Sequence, residues 1–137
     1  CAALVNFYKA FNQRDIARMA DNWWPSASAS MSNPLGDVKH GWPQIETVYQ
    51  KLFNGPAQVY VEFHDFSVHQ TSDMFCAVGR ERGWFKKNDI KLALAIRTTR
   101  IYQRVDSDWR QLHHHGSIDN SVLLHAYQAA VLNITDK

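Results

Sequence analysis

Residues 98–117 read TTRIYQRVDSDWRQLHHHGS: two strand-like runs joined by Asp106-Ser107-Asp108, the second ending in three consecutive histidines. In an extended strand successive side chains point to opposite faces. On the incoming run this groups Ile96, Thr98, Arg100 and Tyr102 on one face and Ala95, Arg97, Thr99 and Ile101 on the other. On the outgoing run it groups Trp109, Gln111, His113, His115 and Ser117 against Arg110, Leu112, His114 and Gly116. The three histidines therefore do not converge unless a bulge intervenes. His113 and His115 would need further ligands from His64, His69 or a carboxylate, and no spacing recommends them, so no metal is expected.

Working outward, the chain continues in the same period. QVYVEFHDFSVHQ (58–70), MFCAVGRERGWF (74–85) and DIKLALAIRTTRIYQRV (89–105) read as long strands ahead of DWRQLHHHGS (108–117). Before them the period is helical. Ala3, Leu4, Phe7, Tyr8 and Phe11 form one apolar stripe; Ile16, Met19 and Ala20 start a short second helix behind Asp15 as N-cap, stopped by Trp23-Trp24-Pro25. SASASMSN reads as a short strand and PLGDVKHG as a turn-rich loop. In GWPQIETVYQKLF, Pro43 sits in a first helical turn, and Ile45, Val48, Tyr49, Leu52 and Phe53 make a buried stripe. NSVLLHAYQAAVL predicts a closing helix over about 119–133.

Helices followed by long strands predict an α+β domain with helices on one face of a curved antiparallel sheet. Strands this long twist and curl, so the sheet wraps the N-terminal helices and leaves a conical pocket. A length of 137 residues fits a single domain, with its core over about 3–118 and the last helix as an addition.

Composition excludes several classes. Hydrophobic residues make up 45% and aromatic ones 12%, enough to fold around a core. Fifteen Lys and Arg against thirteen Asp and Glu leave a formal charge of +2, too small and dispersed for a nucleic-acid partner. No run approaches a membrane-spanning length, so no membrane partner is expected. Two cysteines, one inside the apolar run MFCAVG, suggest a reducing compartment and the cytoplasm as location. Cys1 runs straight into helical periodicity and is read as a fragment boundary.

Thr99-Arg100-Ile101-Tyr102, Arg104, Asp106, Trp109, His113, His115 and Ser117 follow in order a signature of the form TRV(W/Y)xRxDGxWxxVHxHxS. With GWPQI and FYKAFNQRDIARMADNWW, they make the chain resemble the nuclear transport factor 2-like, or ketosteroid-isomerase-like, superfamily of cystatin-like fold. The nearest look is to its SnoaL-like members and to the association domain of calcium/calmodulin-dependent protein kinase II, over about residues 3–118. The resemblance implies that Arg100 projects into an internal pocket, with Arg82 or Arg80 as a second arginine on the preceding strand. Where the association domain carries a further arginine, this chain has Gly116.

Within that frame the candidate ligand-binding residues are Arg100, His114, Tyr102, Trp42 and Arg82, with His114 and Tyr102 as catalytic candidates. A buried guanidinium cannot deprotonate, so Arg100 requires an acid, from Glu81 or another carboxylate or from an anionic ligand. Trp23, Trp24, Phe63 and Trp84 are read as core, and Trp42, at the HGWP transition, as the aromatic that borders the cavity. The expected function is binding of a small polar or aromatic molecule, a carboxylate being one option for its polar end. If the domain is catalytic, the resemblance implies a cofactor-independent isomerase, lyase or hydrolase. The alternative is a non-catalytic oligomerisation or adaptor domain. A homodimer is expected in either case, on the premise that Trp109, Ile101 and Phe63 expose an apolar outer sheet face.

Overall fold

A computed structural model describes residues 2–132; Cys1 and position 133, at the end of the expected last helix, lie outside the described residues. The elements are α1 (Ala2–Asn12), α2 (Ile16–Asn22), β1 (Ser30–Ser32), β2 (Lys39–His40), α3 (Trp42–Asn54), β3 (Gln58–Gln70), β4 (Met74–Lys87), β5 (Ile90–Val105), β6 (Asp108–Ser117) and α4 (Ser121–Leu132). Asp15 caps α2 as its side chain accepts from the Arg18 N–H, and Pro43 occupies the first turn of α3. The two hairpins β4–β5 and β5–β6 turn through two-residue loops whose first positions, Asn88 and Asp106, take φ of 54° and 57°. Short polar side chains tolerate this left-handed backbone, and such turns match the twist of the strands they join.

One open sheet has the strand order β2-β1-β6-β5-β4-β3. The long strands pair antiparallel as expected, but β1 runs parallel to β6, with Ser30, Met31 and Ser32 opposite His113, His114 and His115, so the sheet is mixed. The loop expected over 34–41 contributes the two-residue strand β2, and the strand expected from SASASMSN is confined to Ser30–Ser32.

Helices α1, α2 and α3 pack against the inner face of the sheet. Phe7, Met19, Trp23, Met31, Ile45, Tyr49 and Phe53 form the helix-rich part of the core. Val59, Val61, Phe85 and Leu94 meet α4 through Ala130, and Leu4, Phe75, Ala77 and Tyr102 fill the opposite end. The outer strand β3 is tied to α1 at Val61, whose N–H and C=O are taken by the Asn12 side chain at 3.0 and 2.9 Å. Arg14 binds the Ala57 carbonyl beside it. These bonds satisfy backbone groups that an edge strand otherwise leaves open.

Two bulges revise the face assignments. In β3 the pairing with β4 shifts between His64 and Ser67, where Asp65 has φ 52°. In β6 the pairing with β5 shifts so that Ile101 faces His113 while Tyr102 faces Gln111, leaving Leu112 as the extra residue. A bulge inverts alternation beyond it. Gln111 and His114, which strict alternation separates, therefore share the inner face, and both are buried. His113 and His115 turn outward instead of joining Gln111.

The expected outer apolar patch is corrected by the same geometry. Trp109 packs edge-on against Phe75, and Phe63 stacks on Tyr8, so both belong to the inner face. Of the three residues, Ile101 alone lies outside, among Val78, Arg80 and Arg97.

Candidate functional site

Between α1, α3, α4 and the inner face lies a cavity of about 750 Å³. Phe7, Phe11, Val59, Val61, Leu94 and Ile96 line its apolar body. Tyr127, Val131 and Leu132 of α4 form one wall, tied down by a Tyr127–Phe85 edge contact and by bonds from Gln128 to Pro34 O at 2.9 Å and from Lys87 to Ala130 O at 3.0 Å. The added helix thus belongs to the cavity.

Glu81, Arg100 and His114 supply the polar groups at its inner wall. Arg100 and Glu81 are 3% and 5% exposed. Arg100 Nη2 donates to Glu81 Oε2 at 2.8 Å, Nη1 to Gln111 Oε1 at 2.8 Å and Nε to the Tyr8 hydroxyl at 3.2 Å. Tyr8 donates in turn to the same Glu81 Oε2 at 2.6 Å. The guanidinium lies over the Phe7 ring, 3.6 Å from its centroid. Such a pair costs several kcal/mol of desolvation per ion, and only close, multiply bonded geometry offsets it. Burial, opposed by the Arg100 charge and helped by the smaller effects of the Glu81 charge and hydrogen bond, drives the Tyr8 hydroxyl far above the usual tyrosine range, so Tyr8 remains a proton donor.

The network continues away from the cavity. Gln111 Nε2 and the Tyr102 hydroxyl both donate to Asn22 Oδ1, at 3.2 and 2.8 Å, and Asn22 Nδ2 reaches Ala3 O at 2.8 Å. Tyr102 is fully buried behind Arg100, stacked on Phe75 at 4.7 Å, and does not line the cavity.

His114 is buried at the cavity wall, and its Nδ1 is the one buried side-chain polar atom among the described residues without a hydrogen-bond partner. Burial, reinforced by the Arg100 charge, holds its pKa well below the usual histidine range, so the ring is neutral. It pairs with Arg100 across the β5–β6 ladder, and its Nε2 would lie 3.0 Å from a Cβ on Gly116. His113, in contrast, bonds Ser30 Oγ at 2.7 Å, and His115 is exposed.

The structure thus brings together two of the five expected site residues, Arg100 and His114. Trp42 packs against Tyr49 in the helical core, at 6.5 Å between ring centroids, outside the cavity lining. Arg82 stands on the outer face, bonded to Asp65 at 2.8 Å. Tyr8, Gln111 and Asn22 join the site network without having been singled out. Tyr8 was legible only as part of an apolar helical stripe, where its hydroxyl gives no signal. Among the described residues no three His, Cys, Asp or Glu side chains converge.

A curved sheet closed by helices around a cavity with a buried polar wall defines an α+β pocket domain. The chain belongs to the SnoaL-like domain family, whose model matches residues 1–121. Among solved structures it is similar to a suspected dehydratase of the NTF2-like family from Streptomyces avermitilis, at 18% identity and a TM-score of 0.77, covering 85% of this chain and 90% of that one. It is also similar to a suspected calcium/calmodulin-dependent protein kinase type II association domain from Thiobacillus denitrificans (21% identity, TM-score 0.72, 85% and 91% covered). A protein with a cystatin-like fold from Caulobacter vibrioides matches at 20% identity and a TM-score of 0.71, with 97% of this chain and 94% of that one covered. At these identities the likeness is one of fold. No curated protein matches the chain.

Proposed function

We propose that this domain binds a small molecule whose apolar or aromatic body fills the cavity and whose polar end meets Arg100, Glu81 and His114. The observation that carries this reading is the open volume of about 750 Å³ against a buried, charged inner wall. A core domain serving only as an adaptor has no need of an unfilled interior, because close packing is the stable state of a protein core. The combination of apolar lining and a few convergent polar groups is that of ligand sites. Should the domain turn its ligand over without a cofactor, as an isomerase, lyase or hydrolase, Glu81 is the acid placed at the inner wall, with His114 and Arg100 beside it.

Saturation-transfer NMR with a panel of aromatic alcohols, ketones and acids tests this. Signal is expected for the native protein and its loss in Ile96→Trp, which fills the cavity from β5. Absence of signal for every compound with the native protein overturns the reading and leaves assembly as the function.

We further infer a homodimer formed through the outer face around Val78 and Ile101, which sedimentation at micromolar concentration checks. No helix of the described residues is long and apolar enough to cross a membrane. The free thiol of Cys76 on that face is compatible with the cytoplasm.

A further inference from the structure

Glu81 uses its two oxygens differently. Oε2 accepts both the Tyr8 hydroxyl at 2.6 Å and Arg100 Nη2 at 2.8 Å, whereas Oε1 accepts no bond from the described residues. Nor is Oε1 sealed off, since the one sealed, unpartnered side-chain atom among the described residues is His114 Nδ1. Glu81 lines the cavity, so its open oxygen is the acceptor offered to a ligand there.

The charge at this wall is also balanced. Arg100 is compensated by Glu81 and spends three N–H groups on Glu81, Gln111 and Tyr8. His114 is neutral. A carboxylate ligand arriving at Arg100 would meet the Glu81 carboxylate at close range in a poorly screened site, and an ammonium would meet Arg100 in the same way. A hydroxyl meets neither penalty, and its O–H makes a charge-assisted bond to Oε1.

Resting on the pocket reading above, we infer that the inner end of the ligand is an uncharged hydroxyl, as in a phenol, enol or alcohol, which donates to Glu81 Oε1. The sequence left a carboxylate open for this end; the Arg100–Glu81 geometry disfavours it. Arg100 and Tyr8 then act as positioning residues that hold Glu81 through Oε2 and leave Oε1 to the ligand.

Three probes of similar apolar body separate the possibilities: 2-naphthol, 2-naphthoate and 2-naphthylmethylamine, titrated calorimetrically into the native protein near neutral pH, where naphthol is uncharged. Naphthol is expected to bind at least about tenfold more tightly than either charged probe. In Glu81→Gln, which uncovers the Arg100 charge, the order of naphthol and naphthoate is expected to reverse. Equal or tighter binding of naphthoate or the amine by the native protein, abolished in Ile96→Trp, overturns this inference and leaves the pocket reading intact. No binding of any probe, together with no signal across the wider panel, overturns both. The native-protein ranking decides the matter even if Glu81→Gln fails to fold.

Discussion

The imidazole of His114 occupies the space that a side chain on Gly116 would fill: a Cβ there would stand 3.0 Å from His114 Nε2 and 3.2 Å from Cε1. The glycine that stands where the association domain carries an arginine thus leaves room for the His114 ring opposite Arg100.

Gly116→Ala should force the His114 ring to shift by a few tenths of an ångström, at a cost of about 1 kcal/mol, with a visible change in the imidazole NMR signals. Gly83→Ala should cost more, about 3 kcal/mol, because a Cβ at 83 runs into the Tyr60 backbone carbonyl of the neighbouring strand, which cannot step aside as a side chain can. Equal losses in urea denaturation would contradict this ordering.

Removing one partner of the Arg100–Glu81 pair should be far worse than removing both. Glu81→Leu leaves a buried guanidinium uncompensated and is expected to cost about 3–5 kcal/mol. The double variant Arg100→Met with Glu81→Leu should recover most of that loss, since the desolvation cost disappears with the charges. Arg100→Lys keeps the charge but cannot reach Glu81, Gln111 and Tyr8 together, so about 1–3 kcal/mol should go with the lost bonds. Chemical denaturation of the three variants tests the ranking, and a double variant no more stable than Glu81→Leu would refute it.

Stability should fall on mild acidification through His114. The unfolded imidazole takes up a proton below about pH 6.5, while burial and then Arg100 keep the folded one neutral to much lower pH. In that window the unfolded state binds more protons, so stability rises with pH and is lost as pH falls, by at most about 1.4 kcal/mol per pH unit. His113, lowered chiefly by burial, adds in the same direction. His114→Gln, which does not titrate, should show a shallower decline in urea midpoint between about pH 7 and about pH 5. An unchanged slope would mean that His114 does not carry it.

Sequence alone determined the order of the helices and of the four long strands and the bounds of β3 and β6, because helical and strand periods are local properties of side-chain spacing, while the inward setting of Arg100 followed from the family resemblance. It also required an acid for a guanidinium that cannot shed its charge, with Glu81, another carboxylate or an anionic ligand as the candidates. What it could not determine was which face His114 takes. That depends on Leu112 bulging out of β6, where Trp24 N–H bonds the Gln111 carbonyl at 2.9 Å across 87 positions of chain, and no local pattern encodes such a contact. Tertiary structure likewise decided that Trp109 and Phe63 turn inward, that Trp42 and Arg82 stand away from the cavity, and that α4 walls it. Tyr8 and Glu81 lie 73 residues apart, and their bond exists only because a helix is laid across the finished sheet. Periodicity assigns faces one element at a time, whereas a site forms where faces of distant elements meet, and bulges and packing settle that meeting.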